Sequence, residues 1–321
     1  MEDIKLYKRP KLKNVHLIVA WPGMGEVAHR AVSYLLEKLP VEELGEIPSD
    51  GFFYPMESII QDGVLSVPDL PTTKLYFMKD KAAKRDLLFV LSDAQPDGSK
   101  AEQYCERLVA LAKLFKVKKV ISFAAMPQPM EHSQRPSVWF TATSKPLLDQ
   151  LKKFDLQLLS SGQISGLNGL FLGIANKEGF EGFCLLGEIP LYTIQIENPK
   201  ASYAVLEALA RVLTLHVDFS ELLEQAQAIE TQINGLLDYL KMGPSPGPIG
   251  EEEIEKIKKS LSQLTKLPVS VKDRIEKLFG QAKSDLSKAN ELKAELDKWN
   301  VYKEYEDRFL DLFKKTKGKN N

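Results

Sequence analysis

The sequence predicts an α/β fold, in which helices cover both faces of a largely parallel sheet, followed by a C-terminal helical extension. Two observations support this prediction. Apolar runs typical of fully buried strands alternate with helical patterns as far as about residue 218. Beyond that point apolar residues recur every three or four positions, which is the spacing of one helical face.

Six apolar stretches are strand candidates, and five helical patterns lie among them. The strand candidates are "HLIVAWP", "KLYFMKD", "DLLFVLSDAQP", "KVKKVISFAAMP", "SVWFTATS" and "EGFCLLGEI". The helical patterns cover residues 26–39, 99–115, 145–153, 167–176 and 200–217. Residues 41–80 are rich in turn residues, so we expect a β-rich excursion or a sheet edge there.

The chain divides into four segments. We expect an α/β/α core domain over residues 1–218, an amphipathic helix over 219–241, a linker over 242–250 and a charged helical extension over 251–321. The linker, "MGPSPGPIG", is too rich in proline and glycine to continue a helix. If the apolar stripe from Ile275 to Leu312 forms one unbroken helix, that helix is about 55 Å long. Such a stripe packs either within its own subunit, which we favour, or against a neighbouring subunit.

Composition and charge exclude several classes of protein. The chain has 321 residues, is 44% hydrophobic and carries a formal net charge of -1, which argues against a dedicated nucleic-acid-binding protein. No apolar run approaches the ~20 residues that span a bilayer, so no membrane partner is expected. No signal peptide is visible, and Cys105 and Cys184 match no metal spacing. We therefore expect a cytoplasmic protein without a metal or a cofactor.

The stretch "LIVAWPGMGEVAHR" raises the question of a phosphate-binding loop. Gly23, Gly25 and Ala28 formally satisfy the dinucleotide pattern G-x-G-x-x-G/A after a strand. The bulky pair Trp21-Pro22 opposes close approach of a pyrophosphate, and Glu26 competes with a phosphate at the start of the helix. The residues favour a tight corner between a strand and a helix over a dinucleotide site.

A second glycine-rich stretch, "SSGQISGLNGLFLGIANKEG", presents Gly166, Gly169 and Gly173 on one helical face. Ser165 is placed as the N-cap of this helix. Glycine costs up to ~1 kcal/mol per helical position relative to alanine, so these glycines need a structural or functional reason. We favour close backbone packing; the alternative is that Ser165, Asn168 and exposed N–H groups hold an anion or a carboxylate.

Polar and aromatic residues follow several strand candidates, and open α/β sheets bind ligands at the carboxyl ends of their strands. Such a cleft suits a small molecule or a peptide, and it suits an oligomer interface equally well. Asn198 is also expected to open the helix that follows, with Pro199 at its first position. The candidate residues are Trp21, Gly23, Met24, Gly25, Asp93, Gln95, Met126, Ser165, Asn168, Glu188, Tyr192, Glu197 and Asn198.

Catalytic patterns find little support. No G-x-S-x-G elbow occurs, and the four histidines show no metal spacing. His132, in the loop "PMEHSQRPS", is the only histidine placed as a catalytic residue would be, and the sequence does not identify its partner. A carboxylate pair drawn from Asp93, Glu188 and Glu197 is not distinguishable from three solvated acids. We predict no catalytic residue and no metal ligand.

Four separated motifs resemble the proteasome assembly chaperone 2 family, in its bacterial and archaeal branch. They are "VAWPGMGEVA", "AAMPQP", "SGQISGLNGLFLG" and "LLGEIPLYTIQIENPKASYAVLEAL", and the resemblance covers about residues 15–240. It implies a three-layer α/β/α sandwich of the phosphorylase/hydrolase-like kind, homo-oligomers that are commonly trimers or larger, and protein binding without an established catalytic centre. Some members are labelled ATP-grasp enzymes or carboxylate–amine ligases.

The chain departs from this family in its C-terminus, Lys-Asn-Asn, where members that dock onto a proteasome end in a hydrophobic residue, a tyrosine and any residue. The leading hypothesis is a non-catalytic, self-associating scaffold or chaperone-like protein, whose partners are itself and other proteins. The alternative is an enzyme that acts on a small polar or nucleotide-like ligand at the carboxyl edge of the sheet, as a hydrolase, a phosphorylase or an ATP-dependent ligase.

Overall fold

A computed structural model describes residues 4–49, 51–54, 58–61, 63–80, 82–242, 269–299 and 301–314. Nearly all of the predicted linker, and the first part of the predicted extension, therefore lie outside the described residues. The chain forms two compact units. The first comprises Met1–Gln128, Ser133–Ile189 and Ile196–Ile229, and the second comprises Pro129–His132, Pro190–Gln195 and Glu230–Asn321.

Eleven strands are described, nine of which form one sheet. They are β1 (Lys5–Leu6), β2 (His16–Ala20), β3 (Glu42–Ile47), β4 (Ile59–Gln61), β5 (Val64–Ser66), β6 (Thr73–Asp80), β7 (Arg85–Ser92), β8 (Lys119–Gln128), β9 (Val138–Ala142), β10 (Gln157–Leu158) and β11 (Glu181–Pro190). The order in the large sheet is β1-β3-β6-β7-β2-β8-β11-β9-β10, and β4 and β5 form a separate two-stranded sheet.

The predicted α/β fold is confirmed, and the sheet is mixed. Its centre is parallel, because β2 pairs in parallel with both β7 and β8. On one side β6 runs antiparallel to β7 and β3 antiparallel to β6, while on the other side β9 runs antiparallel to β11. Only a few residues join β6 to β7, and so short a connection joins antiparallel neighbours, whereas a parallel pair needs a long crossover.

The described part of the first unit contains five complete helices and the start of a sixth. They are α1 (Val27–Lys38), α2 (Ala101–Leu114), α3 (Lys145–Leu151), α4 (Leu167–Lys177), α5 (Pro199–Leu213) and α6 (Ser220–Met242). Helix α1 packs on β2, β7, β8 and α5, and α4 packs on β2, β8 and α2. All five residues of β2 are buried, as the continuous apolar run "HLIVA" predicts for a central parallel strand.

Helix α5 begins where the sequence predicts. The Asn198 side chain accepts a hydrogen bond from Ala201 N–H at 2.9 Å, and Pro199 occupies the first helical position. Proline suits that position because its missing N–H would be unpaired there in any case. The hydrophobic face of α5 is buried as far as Leu213.

The described part of the extension is not one unbroken helix. It forms α7 (Val269–Ser284), α8 (Ala289–Lys298) and α9 (Tyr302–Lys314). The first break is stabilised by Asp285, whose carboxylate accepts hydrogen bonds from the N–H and hydroxyl of Ser287. The three helices contact one another, and the Phe279 and Tyr305 rings lie 5.8 Å apart.

The apolar stripe of the extension is buried at most of its described positions, among them Ile275, Leu278, Leu292, Leu296 and Phe309. Contacts among α7, α8 and α9 agree with the favoured expectation that the stripe packs within its own subunit. In the part of the chain that the structure describes, no helix is both long and apolar enough to cross a bilayer.

Candidate functional site

The backbone of residues 21–26, here called the glycine corner, is held by side-chain amides from distant parts of the chain. Trp21 N–H donates to Asn168 Oδ1 at 3.1 Å, and Asn168 Nδ2 donates back to the Trp21 carbonyl at 3.0 Å. This two-way pairing satisfies both backbone groups of Trp21 just beyond the end of β2. Asn168 lies on the first turn of α4 and is only 4% exposed, so its amide has no ready exchange with water.

Gln95 ties the next residue of the corner to α4. Its Nε2 donates to the Pro22 carbonyl at 2.7 Å, and its Oε1 accepts from Leu167 N–H at 2.9 Å. The first N–H group of α4 is therefore bound by a protein side chain and is not available to an anion.

The predicted N-cap Ser165 is wrong. The N-cap of α4 is Gly166, which adopts a positive φ of 73° and offers no side chain. The side chain that takes over the capping contact is Gln95, and a Cβ added at Gly166 would lie only 2.7 Å from Gln95 Nε2. A long-range cap thus replaces the local one, which sequence spacing cannot reveal.

Of the two corner glycines, only Gly25 needs to be glycine for its conformation. Gly25 has a φ of 60°, and a Cβ there would lie 3.2 Å from Ile189 Cδ1. Its carbonyl accepts from Asn198 N–H at 2.8 Å, which links the corner to the start of α5. Gly23 is extended, and a Cβ there would meet only Asn168, at 3.8 Å. The residues thus form a tight turn, as the favoured interpretation of the sequence predicts.

Trp21 does not line an open cleft, because its side chain is fully buried in the core. The indole packs edge-on against Tyr104 and Phe171, with ring centroids 6.2 and 6.1 Å away. Its Nε1 donates to Tyr104 Oη at 3.4 Å, and that hydroxyl is also 2.7 Å from Thr73 Oγ1. Met24, three residues after Trp21 along the chain, is half-buried. The corner therefore anchors the core.

The three candidate carboxylates have separate partners. Asp93 accepts from the N–H and hydroxyl of Thr72, and Glu188 accepts from Ser137 N–H at 2.9 Å and Trp139 Nε1 at 2.8 Å. Glu197 pairs with Arg30 at 3.4 Å. Each acid stabilises a local contact, and the contacts described for them do not join any two as an acid–base pair.

Met126, Ser165 and the glycines of α4 complete the candidate set in the first unit. Met126 packs half-buried against the core, and Ser165 is exposed. A Cβ on Gly169 would collide with the Ile164 carbonyl, so close packing explains that glycine. Nothing lies within 4 Å of a Cβ on Gly173, so packing does not explain that one. Gly173 lines an open groove of about 320 Å³ beside Thr143, Ser160 and Asn176.

Tyr192 lies in the second unit, where it contacts His132. The His132 N–H donates to Tyr192 Oη at 2.9 Å, and His132 Nδ1 lies 2.8 Å from the same oxygen. The other ring nitrogen, Nε2, lies 2.9 Å from Asn234 Oδ1 on α6. The sequence singled out His132 but did not identify Asn234, since nothing local signals a contact across about a hundred residues. The imidazole here joins a loop to a helix.

The buried nucleophiles are poorly suited to chemistry. Burial raises the pKa of both Cys105 and Cys184 to about 12, so neither thiol forms the reactive thiolate near neutral pH. Burial, together with the nearby Lys119 and Arg85 charges, lowers the pKa of His16 to about 4. Within the described ranges, no group of three or more His, Cys, Asp or Glu side chains is arranged to hold a metal ion.

Sequence reasoning missed an exposed apolar hairpin formed by β4 and β5. Ile60 faces Leu65 across the pair, and these side chains are 70% and 67% exposed. Ile59, Val64 and Val67 are also exposed. The available signal was "IIQDGVLSV", in which a D-G turn lies between two apolar runs. Clustered aliphatic side chains of this kind mark interaction surfaces more often than isolated ones do.

The fold and these contacts define an α/β protein. The polar residues that the sequence suggested as site residues mostly stabilise turns and helix starts. The chain belongs to the PAC2 family, whose model matches residues 17–237. The predicted resemblance is thereby confirmed at the level of the family.

Relatives of known sequence or structure agree with this assignment. An uncharacterized protein of Methanocaldococcus jannaschii is 26% identical over 233 residues, which cover 71% of this chain and 85% of the relative. PbaB of Pyrococcus furiosus, described as an archaeal proteasome activator, superposes with a TM-score of 0.63 at 25% identity, over 73% of this chain and 97% of PbaB.

Two further structures extend the comparison. PbaA of the same organism, described as an archaeal homolog of proteasome-assembly chaperone, gives a TM-score of 0.57 at 25% identity, over 79% of this chain and 99% of PbaA. A proteasome-assembly chaperone homologue of Mycobacterium tuberculosis gives 0.59 at 21% identity, over 76% of this chain and 99% of that one, which shows the fold alone. The family favours a chaperone-like binding protein over the enzyme alternative. None of these names supports the ATP-grasp or ligase label.

Proposed function

We propose that this protein is a non-catalytic, self-associating binding protein of the proteasome-assembly-chaperone type, and that the β4–β5 hairpin is a principal contact surface. The supporting observation is the group of aliphatic side chains that this hairpin exposes, up to 70% at Ile60 and Val67. Their burial against a partner would contribute about 1.5–3 kcal/mol for each fully covered side chain.

The hairpin also has an unused capacity for hydrogen bonding. Its two strands pair only with each other in the described sheets, so their outer edges offer backbone groups to another chain. An isolated two-stranded hairpin is marginally stable in water, and a partner that adds a strand or covers its apolar face would stabilise it.

Finer features of the proposal follow from the resemblance and the sequence. We propose a homo-oligomer, a trimer or larger, in the cytoplasm, from the archaeal and bacterial branch of the family. The core, residues 1–218, would be a three-layer α/β/α sandwich of the phosphorylase/hydrolase-like kind, joined through the helix 219–241 and the linker 242–250 to the extension 251–321. The exposed members of the predicted site, Gly23, Asp93, Ser165 and Glu197, would belong to its contact surface.

The experiment measures the oligomeric state of the wild type and of an Ile60→Glu/Leu65→Glu variant by light scattering. The protein concentration is about 10 μM, at which an interface with a Kd near 1 μM is mostly formed. We expect the wild type to be larger than a monomer and the variant to dissociate. Its free energy of unfolding should change by no more than about 0.5 kcal/mol per site apart from the lost assembly, because both side chains are exposed.

The matched control is Leu170→Glu, a change of the same kind at an exposed leucine on α4. It should leave the assembly intact. A wild-type protein that is strictly monomeric at this concentration would refute self-association, and a variant that assembles normally would refute the role of the hairpin.

A further inference from the structure

A long groove lies between the N-terminal segment, residues 4–12, and the outer face of α2. Its volume is about 970 Å³, and it belongs wholly to the first unit. One wall is formed by α2 from Gln103 to Leu114 and by the next two residues, Phe115 and Lys116. At about 1.5 Å per residue this wall is roughly 20 Å long, which corresponds to three or four turns of a second helix. We call it the basic groove.

The floor of the basic groove is apolar. Ile4, Leu6, Leu12 and Phe115 are half-buried and pack against the hydrophobic core from outside. Leu114 on α2 remains 48% exposed, and the small residue Ala110 leaves room one turn before it. An apolar side chain of a partner would pack against apolar side chains here and would be removed from water.

The rim of the groove is strongly cationic, although the whole chain has a net charge of -1. Its only acid among the described lining residues is Glu106, and its cations are Arg9, Lys11, Arg107, Lys113 and Lys116. Lys113 pairs with Glu178 at 2.6 Å, but both side chains are exposed, and such a pair contributes at most about 1 kcal/mol. Within the described residues, Arg9, Lys11 and Lys116 form no ion pair.

We propose that the basic groove binds an acidic amphipathic α-helix of a partner protein, with its apolar face on the floor and its carboxylates at the rim. Charge complementarity selects the acidic partner. The straight helical wall favours a helix. An added strand is disfavoured because β1, the edge strand beside the groove, is only two residues long. This site uses different residues from the β4–β5 hairpin and does not depend on self-association.

The probe is a fluorescein-labelled synthetic peptide of about 18 residues, ~27 Å as a helix, with leucines at helical spacing and glutamates elsewhere. A matched peptide carries lysine in place of every glutamate. Fluorescence anisotropy with the full-length protein should show binding of the glutamate peptide at least about tenfold tighter than that of the lysine peptide. Its affinity should fall as the salt concentration rises from about 50 to about 500 mM, since salt screens exposed charges.

Two variants locate the binding. Lys11→Glu/Lys116→Glu should lower the affinity for the glutamate peptide by about tenfold or more and raise the affinity for the lysine peptide. Ala110→Trp should weaken both peptides because it fills the floor. The control Lys152→Glu/Lys153→Glu makes the same charge change at two residues that directly follow α3 and should alter neither affinity.

Equal affinity for the two peptides, or full binding by the Lys11→Glu/Lys116→Glu variant, would overturn the proposal. So would binding to vesicles that contain phosphatidylserine without binding to the glutamate peptide, since the groove would then serve a membrane surface. The Ile60→Glu/Leu65→Glu variant should keep its peptide affinity, so failure of the hairpin proposal and failure of this one are separate results.

Discussion

The glycine corner and the β4–β5 hairpin differ in how their polar and apolar groups are satisfied. At the corner, the side chains of Gln95 and Asn168 and the backbone N–H of Asn198 bind the carbonyls of residues 21, 22 and 25. At the hairpin, Ile60 and Leu65 face solvent. The glycine motif, which resembles a ligand-binding loop, therefore stabilises the fold, whereas the apolar run of the hairpin remains exposed and is the surface that we propose for binding. A glycine pattern by itself does not separate a turn from a ligand loop.

The largest expected effect is that of Asn168→Ala. This change leaves the N–H and carbonyl of Trp21 without their partners in a buried site, at a cost of about 1–3 kcal/mol for each unsatisfied group. Urea denaturation should show a loss of about 2–6 kcal/mol in the free energy of unfolding. Asn176→Ala, at an exposed position on the same helix, is the control and should cost less than about 1 kcal/mol. If Asn168→Ala left the free energy of unfolding unchanged, the corner would not stabilise the fold, and the contrast with the hairpin would be wrong.

A smaller effect is expected from alanine at Gly25. Its φ of 60° is unfavourable for a residue with a Cβ, at about 1–2 kcal/mol, and Ile189 must also move. Gly23→Ala is the matched control, because its backbone is extended and has room for a methyl group. Thermal or urea unfolding should separate the two variants by at least about 1 kcal/mol. If Gly23→Ala were the more damaging, the positive φ of Gly25 would not be what the turn depends on.

The last prediction is that small-molecule ligands have no effect on the stability of the protein. A thermal-shift screen with ATP, NAD and free amino acids should leave the melting temperature unchanged, since the corner groups are already bound by the protein itself. A ligand present at 100 times its Kd would stabilise the fold by about 2.7 kcal/mol, which such a screen detects easily. A reproducible shift that Asn168→Ala abolishes would return the corner to the enzyme alternative.

Strand and helix positions were largely predictable, because their signals are local. The run "HLIVA" is buried along its whole length, and Asn198-Pro199 opens α5 as its composition indicates. The antiparallel pairing of β6 with β7 was not predicted, although the short connection between the two runs indicates it. The breaks in the extension at Asp285 and near residue 300 were not anticipated, since the three- and four-residue rhythm continues across them.

The sequence selected several residues that meet at the glycine corner, but it did not predict how they are arranged. Gln95 and Asn168 were selected because they follow a strand and begin a helix, yet their joint hold on residues 21–22 spans segments more than seventy residues apart. The same holds for His132, whose contact with Asn234 lies far along the chain. The basic groove likewise joins the first dozen residues to α2, and its cations are unremarkable in either segment alone.

The sequence by itself determined which residues enter strands and helices, because burial periodicity and helix capping are set by neighbours a few positions away. It also determined the family, through four motifs in a fixed order. Only the tertiary structure decided that the glycine corner is bound by amides of the protein and that aliphatic side chains near residues 59–67 stay in water. The physical reason is that hydrogen-bond satisfaction and solvent exposure depend on which distant segments meet, and no local pattern encodes that meeting.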